Sequence, residues 1–146
     1  LLGYANGSFG PDDGITRAQM AVIAARWIDR QCAADPQNAP FCTNDASDIA
    51  YTDVPSSHWA AGVIARISGT GLMGGYANGT FRPDAWLTRA EAVIVLNRLF
   101  RRGPLEGVAS PTFADVPTNH WAFKEVEEAS TDHSYIMKDG KEHIRE

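Results

Sequence analysis

The sequence predicts a mainly α protein assembled from helical repeats. Three observations predict it. Residues 3–19 read GYANGSFGPDDGITRAQ and residues 75–91 read GYANGTFRPDAWLTRAE, nearly the same letters 72 positions apart. A second block, YTDVPSSHWA at 51–60, returns as FADVPTNHWA at 113–122. Each glycine-rich copy leads into a helix-start signature and then apolar residues at helical spacing.

The first helix is signalled by Ile15-Thr16-Arg17-Ala18-Gln19-Met20. Thr16 at the N-cap can accept from the N3 amide while Gln19 reaches back, and Ile15 and Met20 occupy the staple positions. A helix over 17–30 follows, with Met20, Ile23, Ala24 and Trp27 on one face. The next stretch, CAADPQNAPFC at 32–42, reads as a loop. Cys32 and Cys42 match no metal-ligand spacing, so a disulfide is expected if the protein is secreted, and buried free thiols are the alternative. The two block spacings differ by ten residues, which places an insertion in the connection that holds both cysteines.

The Asp-Val-Pro lead-ins at 53–55 and 115–117 are extended, because proline excludes the preceding residue from the α region. A second helix type is expected from His58 and from His120, with Ser57 and Asn119 as N-caps. Trp59, Val63, Ile64 and Ile67 form its apolar face in the first case, and Gly69 and Gly71 end it. Tyr76 to Phe81 is an Asn-Gly tight turn between two aromatics. Thr88-Arg89-Ala90-Glu91 repeats the capping box, with Leu87 and Ala92 as the staple. The helix it opens, expected over 89–102, contains AVIVLNRLF, apolar almost all round and so expected to be deeply buried. The tail 134–146 carries Asp139-Gly140 between alternating residues and predicts a small β-hairpin. The organisation expected is one domain: a partial repeat with the cysteine-bearing insertion (1–50), a complete repeat (51–112) and a degenerate one (113–146).

The bulk properties bound the function. At 146 residues and 44% apolar, the chain has enough material for a folded core. A net charge of −5 argues against nucleic acid or an anionic membrane as the main partner, while leaving room for a local cationic pocket. No apolar run approaches the roughly 18–20 residues of a membrane span. The chain opens inside a motif, not on a leader, so a longer parent is expected.

These motifs resemble the S-layer homology family. The residues that carry the resemblance are Asp53-Val54-Pro55, His58-Trp59-Ala60, Gly75 to Phe81, Pro83 and Thr88 to Glu91 in the complete copy. The earlier copy gives Gly3 to Phe9, Pro11 and Thr16 to Gln19; the later gives Asp115-Val116-Pro117 and His120-Trp121-Ala122. The likeness covers about two-thirds of the chain, with several motifs recurring in order. It implies helical repeats, usually three, around a pseudo-threefold axis. It implies a non-catalytic anchor that holds proteins on the bacterial cell surface by binding secondary cell-wall polysaccharide, a polymer that often carries acidic ketal-linked pyruvate. Family ligands sit in grooves between repeats, lined by the arginine of Thr-Arg-Ala-Glu and by residues around the glycine-rich turn. The implied ligand-binding set is Arg17 and Arg89 with Tyr4, Asn6, Gly7, Ser8, Tyr76, Asn78, Gly79 and Thr80; Trp59 and Trp121 join the candidates on the residues themselves, as the aromatic faces a sugar could stack on. The chain departs from the pattern in its truncated first repeat, in Gln19, and in a third repeat without the arginine motif. At most two arginine-centred sites are therefore expected.

Read as residues alone, Arg17 and Arg89 raise a question of sign. A cation at the first helical position opposes the helix dipole, at a cost of about 0.3–1 kcal/mol where exposed. A bound anion reverses that sign, and a guanidinium fork suits a carboxylate. The competing reading has Arg89 bridging to Asp84 or to a carboxylate of another repeat. Trp59 and Trp121 read first as core anchors and second as sugar platforms. Trp86 is either loop packing or an exposed stacking surface. Asp53 and Asp115 read as acceptors for backbone amides. His58 and His120 each follow an Asp by five residues, yet no nucleophile, phosphate loop or metal constellation accompanies them, and no cofactor is expected. The Asp/Asn/Gly loops lack the ligand spacing of a calcium loop. Two readings remain: a polysaccharide-binding anchor, and a structural or protein–protein module that keeps the scaffold without the ligand.

Overall fold

The computed structural model describes residues 5–42 and 49–145. The fold is mainly α, with a small β element near the C-terminus. It comprises α1 (Arg17–Ala34), α2 (Ala61–Thr70), α3 (Arg89–Leu99), β1 (Leu105–Glu106), α4 (Phe123–Ser130), β2 (Tyr135–Lys138) and β3 (Lys141–Ile144). The chain forms two compact units, Leu1–Leu87 and Thr88–Glu146, and the division falls inside the 51–112 repeat. No helix among the described residues is long and apolar enough to cross a membrane.

The first unit pairs α1 with α2. Ala18, Ala21, Ala24, Ala25 and Ile28 line one face of α1 at helical spacing and are buried, as are Ile64 and Ile67 of α2. Small side chains on α1 let α2 approach closely, and Leu72, Met73 and Phe81 complete the core. Both halves of the expected capping box form: the Gln19 amide donates to Thr16 Oγ1 at 3.2 Å and the Thr16 amide to Gln19 Oε1 at 2.8 Å. The helix continues past the expected end at 30, through Cys32, to Ala34. Cys, Ala and Ala extend it readily, and Pro36 then forbids a further turn. Cys32 is disulfide-bonded to Cys42.

The start of α2 corrects the expectation of a helix from His58 capped by Ser57. The helix begins at Ala61, and its N-cap Ala60 makes no side-chain hydrogen bond. Residues 55–60 form turns instead: the His58 amide donates to the Pro55 carbonyl at 2.8 Å, and the Ala60 amide donates to His58 Nδ1 at 3.1 Å. The imidazole does the capping. The same geometry recurs at Pro117, His120 and Ala122, so α4 begins at Phe123, not at His120. Gly71, in the left-handed region at φ 76°, ends α2 as expected.

In the second unit α3 packs on α4, and α4 packs against β1. The capping box at Thr88 and Glu91 forms in full. Helix α3 stops at Leu99, short of 102, and it is not deeply buried all round. Val95, Asn97 and Leu99 are buried, while Leu96 and Phe100 are exposed. Its partner α4 is only eight residues long and covers one side. The hairpin forms as β2 and β3, antiparallel, with Tyr135 opposite Ile144 and Lys138 opposite Lys141. Asp139 and Gly140 both have positive φ, 52° and 73°, as a two-residue primed turn requires. Strand β1 adds in parallel to β3, giving the order β1-β3-β2. A strand of two residues carries no readable period, so no pattern in the sequence signals it.

Candidate functional site

The glycine-rich turn is built by its own side chains. Asn78 Oδ1 accepts from the Thr80 amide at 3.2 Å and from Thr80 Oγ1 at 2.6 Å. In the earlier copy Asn6 Oδ1 accepts from the Ser8 amide at 3.0 Å and from Ser8 Oγ at 2.7 Å. Gly7 and Gly79 take φ values of 82° and 79°, a conformation that penalises any side chain. These residues form the turns, and all six are exposed or half-buried. Tyr4 lies outside the described residues.

Asp53 holds the complete copy of the turn. Its Oδ1 accepts from the Phe81 amide at 2.8 Å and its Oδ2 from the Arg82 amide at 2.7 Å. Burial acts to raise its pKa, but these backbone donors and the nearby Arg82 charge outweigh burial and hold it below the ordinary aspartate value. The stability it contributes is therefore present above the unfolded pKa and is lost as pH falls through the lower folded one. Asp53→Asn should destabilise by about 1–2 kcal/mol at pH 7. That deficit should shrink toward pH 3; urea denaturation at both pH values checks it.

The two arginines differ sharply in environment. Arg17 is only 6% exposed. Its Nε donates to the Phe81 carbonyl at 2.8 Å and its Nη2 to the Gly74 carbonyl at 2.6 Å. Its guanidinium carbon lies 4.9 Å from the Tyr76 ring centroid and 4.8 Å from that of Phe81. The first amides of α1 are also taken, by the carbonyls of Ala85 and Pro83, each at 2.9 Å. A ligand carboxylate at this helix start would have to displace all of these.

Arg89 is exposed, and among the described residues its guanidinium makes no hydrogen bond or ion pair, with Asp84 or with any other carboxylate. The amides of Arg89 and Ala90, at the first two helical positions, likewise have no partner there. Arg89 borders a cavity of about 530 Å³ whose other walls include Ala90, Phe113, Asp115, His120 and Ser130. His120 Nδ1 accepts from the Ala122 amide, so the neutral ring carries its proton on Nε2 as a donor. Asp115 is exposed and, unlike Asp53, makes no hydrogen bond among the described residues.

One cause accounts for both contrasts. Arg17 and Asp53 meet around the Gly74–Arg82 segment, which supplies carbonyls to one and amides to the other. The third repeat has the Asp-Val-Pro and His-Trp blocks but no such segment. Asp115 thus has no turn to cap, and Arg89 has no carbonyls to fill its fork. The cavity walls Phe113, Asp115 and His120 were not singled out from sequence as a group around Arg89; the signal was the return of their block without its turn.

The tryptophans correct the core reading. Trp59 and Trp121 are 66% and 67% exposed. They precede the helices, in turns that face outward, and each stacks beside its neighbour histidine at 29° between planes. Trp86 is equally exposed, pairs as an isolated bridge with Thr16, and lies over Gly14, where an added Cβ would meet Trp86 Cε3 at 3.0 Å.

Residues 1–21 and 50–93 match the S-layer homology domain. Over 140 residues the chain is 36% identical to Cell surface glycoprotein 1 of Acetivibrio thermocellus, covering 96% of this chain and 6% of that protein. It is 37% identical over 141 residues to the Cellulosome-anchoring protein of the same organism, covering 96% of this chain and 30% of that one. Surface layer protein of Brevibacillus choshinensis is 38% identical over 98 residues, 67% of this chain and 8% of the relative. The chain thus spans less than a third of the length of these curated relatives. Its kinship with cell-surface and surface-layer proteins places it outside the cell, at the surface or wall. With its recurring capping boxes, Asn-Gly turns and His-Trp starts, the chain belongs to the S-layer homology domain family.

Proposed function

We propose that this chain is a non-catalytic anchoring module that binds an acidic secondary cell-wall polysaccharide, of the pyruvylated type, at the start of α3. The observation that carries the reading is Arg89: an exposed guanidinium beside two unpartnered helix-start amides, at the edge of a cavity of about 530 Å³. A carboxylate there gains a charge-assisted fork and the favourable end of the helix dipole, and it cancels the cost of a cation at that position. Asp115 supplies an acceptor and His120 a donor for sugar hydroxyls. A relative named as a cellulosome-anchoring protein supports the anchoring role. Arg17, on this reading, holds the glycine-rich turn in shape. Trp59 and Trp121, exposed and stacked on their neighbouring histidines, remain the stacking candidates.

The second reading, a scaffold without glycan binding, draws on Arg17, whose donors are committed to carbonyls. Co-sedimentation with purified cell walls, before and after the wall polymer is extracted, separates the two. Wild type should pellet with intact walls and not with extracted ones. Arg89→Ala should weaken pelleting at least tenfold, by roughly the 1.5–3 kcal/mol of a charged hydrogen bond, while its stability stays within about 0.5 kcal/mol of wild type. Equal pelleting by Arg89→Ala would overturn the site, and absence of wall binding by wild type would favour the scaffold reading.

A further inference from the structure

A second cluster, in the C-terminal unit, is independent of the glycan reading. Glu128 lies in the last turn of α4, His133 follows in the connection, and Glu142 lies on β3. Their side chains are 2%, 5% and 2% exposed. His133 Nε2 lies 3.0 Å from Glu128 Oε2 and 3.7 Å from Glu142 Oε2. All three atoms are buried, and none has a hydrogen-bond partner. The other carboxylate oxygens are engaged: Arg102 Nη2 is 2.7 Å from Glu128 Oε1 and Arg102 Nε is 3.1 Å from Glu142 Oε1.

The tautomer of His133 decides what the cluster lacks. Nδ1 lies 2.6 Å from the Thr131 carbonyl, which can only accept, so Nδ1 carries the proton. In the neutral ring Nε2 then presents a lone pair to two carboxylate oxygens. Three electron-rich atoms converge where no donor reaches them. A proton on Nε2 would place an imidazolium 3.0 Å from Glu128 Oε2 and 3.7 Å from Glu142 Oε2; with the ring neutral, two carboxylates face one guanidinium and leave a negative charge unbalanced in a buried place.

We infer that Glu128 Oε2, His133 Nε2 and Glu142 Oε2 are ligands for a divalent transition ion of the zinc class. Zinc bonds of about 2 Å in a tetrahedron place ligand atoms about 3.3 Å apart, between the two separations seen here. An imidazole nitrogen favours zinc over calcium, which takes six to eight oxygens. The Nδ1 bond to a backbone carbonyl and the Arg102 bonds to the outer oxygens are the supports that orient such ligands. A cavity of about 350 Å³ bordered by Arg102, Glu128, Asp132 and His133 lies beside the cluster. Such an ion would tie the hairpin to the end of α4.

The test is a calorimetric titration of the chelator-stripped full chain with zinc chloride at neutral pH, alongside thermal melts with and without zinc. One zinc per chain is expected, with a higher melting temperature when zinc is present. His133→Gln and Glu142→Gln should each weaken zinc binding at least tenfold and abolish the thermal shift, with helical circular dichroism retained before heating. His143→Gln, one residue along β3, should bind as wild type does. Calcium chloride should give no stoichiometric heat. No zinc uptake by wild type, uptake unaffected in His133→Gln, or uptake lost in His143→Gln would each overturn the inference.

Discussion

Arg17→Ala is expected to destabilise the chain by roughly 3–5 kcal/mol. The truncation removes charged donors from the Phe81 and Gly74 carbonyls and strands the first of them in a buried setting. It also removes a cation packed against Tyr76 and Phe81 and leaves a void beside a fully buried ring. Arg17→Lys should recover only part of the loss, since an ammonium cannot span two carbonyls with a planar fork. Urea midpoints at constant m-value report the change. A loss under 0.5 kcal/mol would mean that Arg17 does not hold the turn. The contrast with Arg89→Ala, nearly neutral for stability and damaging to wall binding, separates two arginines that look identical in the sequence.

Gly75→Ala is the other large effect. A Cβ at this position would collide with Tyr51 Cε1 and lie 2.7 Å from the Thr80 carbonyl oxygen. Tyr51 has little freedom to yield. Its hydroxyl accepts from the Gly75 amide at 3.1 Å and bonds to Ser68 Oγ at 3.0 Å, and its ring packs on Phe81 at 5.3 Å. The expected cost is about 3 kcal/mol or more, at the upper end for overpacking. Gly74→Ala is the internal control, because a Cβ there meets nothing within 4 Å. Its effect should stay near 0.5 kcal/mol. Similar losses at both positions would mean that helix or turn propensity, not the close approach to Tyr51, sets the cost.

The sequence was most readable where structure is local. Thr16 with Gln19, Thr88 with Glu91, and Asp139-Gly140 act over two to four residues, and each produced the cap or turn it signals. It was less readable where a residue's fate depends on a distant segment. Arg17 and Arg89 share a local motif, but 64 residues separate Arg17 from the Phe81 carbonyl that occupies it. The third repeat's missing turn deprives Arg89 of such a partner, a consequence visible in sequence only once the pairing of repeats is known. A helix start at His58 or His120 puts Trp59 and Trp121 on a packed face, whereas the observed starts three residues later leave them in the outward turns. An imidazole accepting a backbone amide is a capping device that lists of Ser, Thr, Asp and Asn do not include. The Glu128–His133–Glu142 cluster carried no spacing signal, since a helix end, a connection and a strand assemble it.

The proposed anchoring role depends on an open cationic helix start at Arg89 receiving a carboxylate. The most direct measurement is a calorimetric titration of the chain with a wall oligosaccharide bearing ketal-linked pyruvate, run beside the same oligosaccharide after acid removal of the ketal. Saturable binding of the pyruvylated form, reduced at least tenfold on removing the ketal and again in Arg89→Ala, is the predicted result. Equal affinity for both forms, or full affinity in Arg89→Ala, would contradict it.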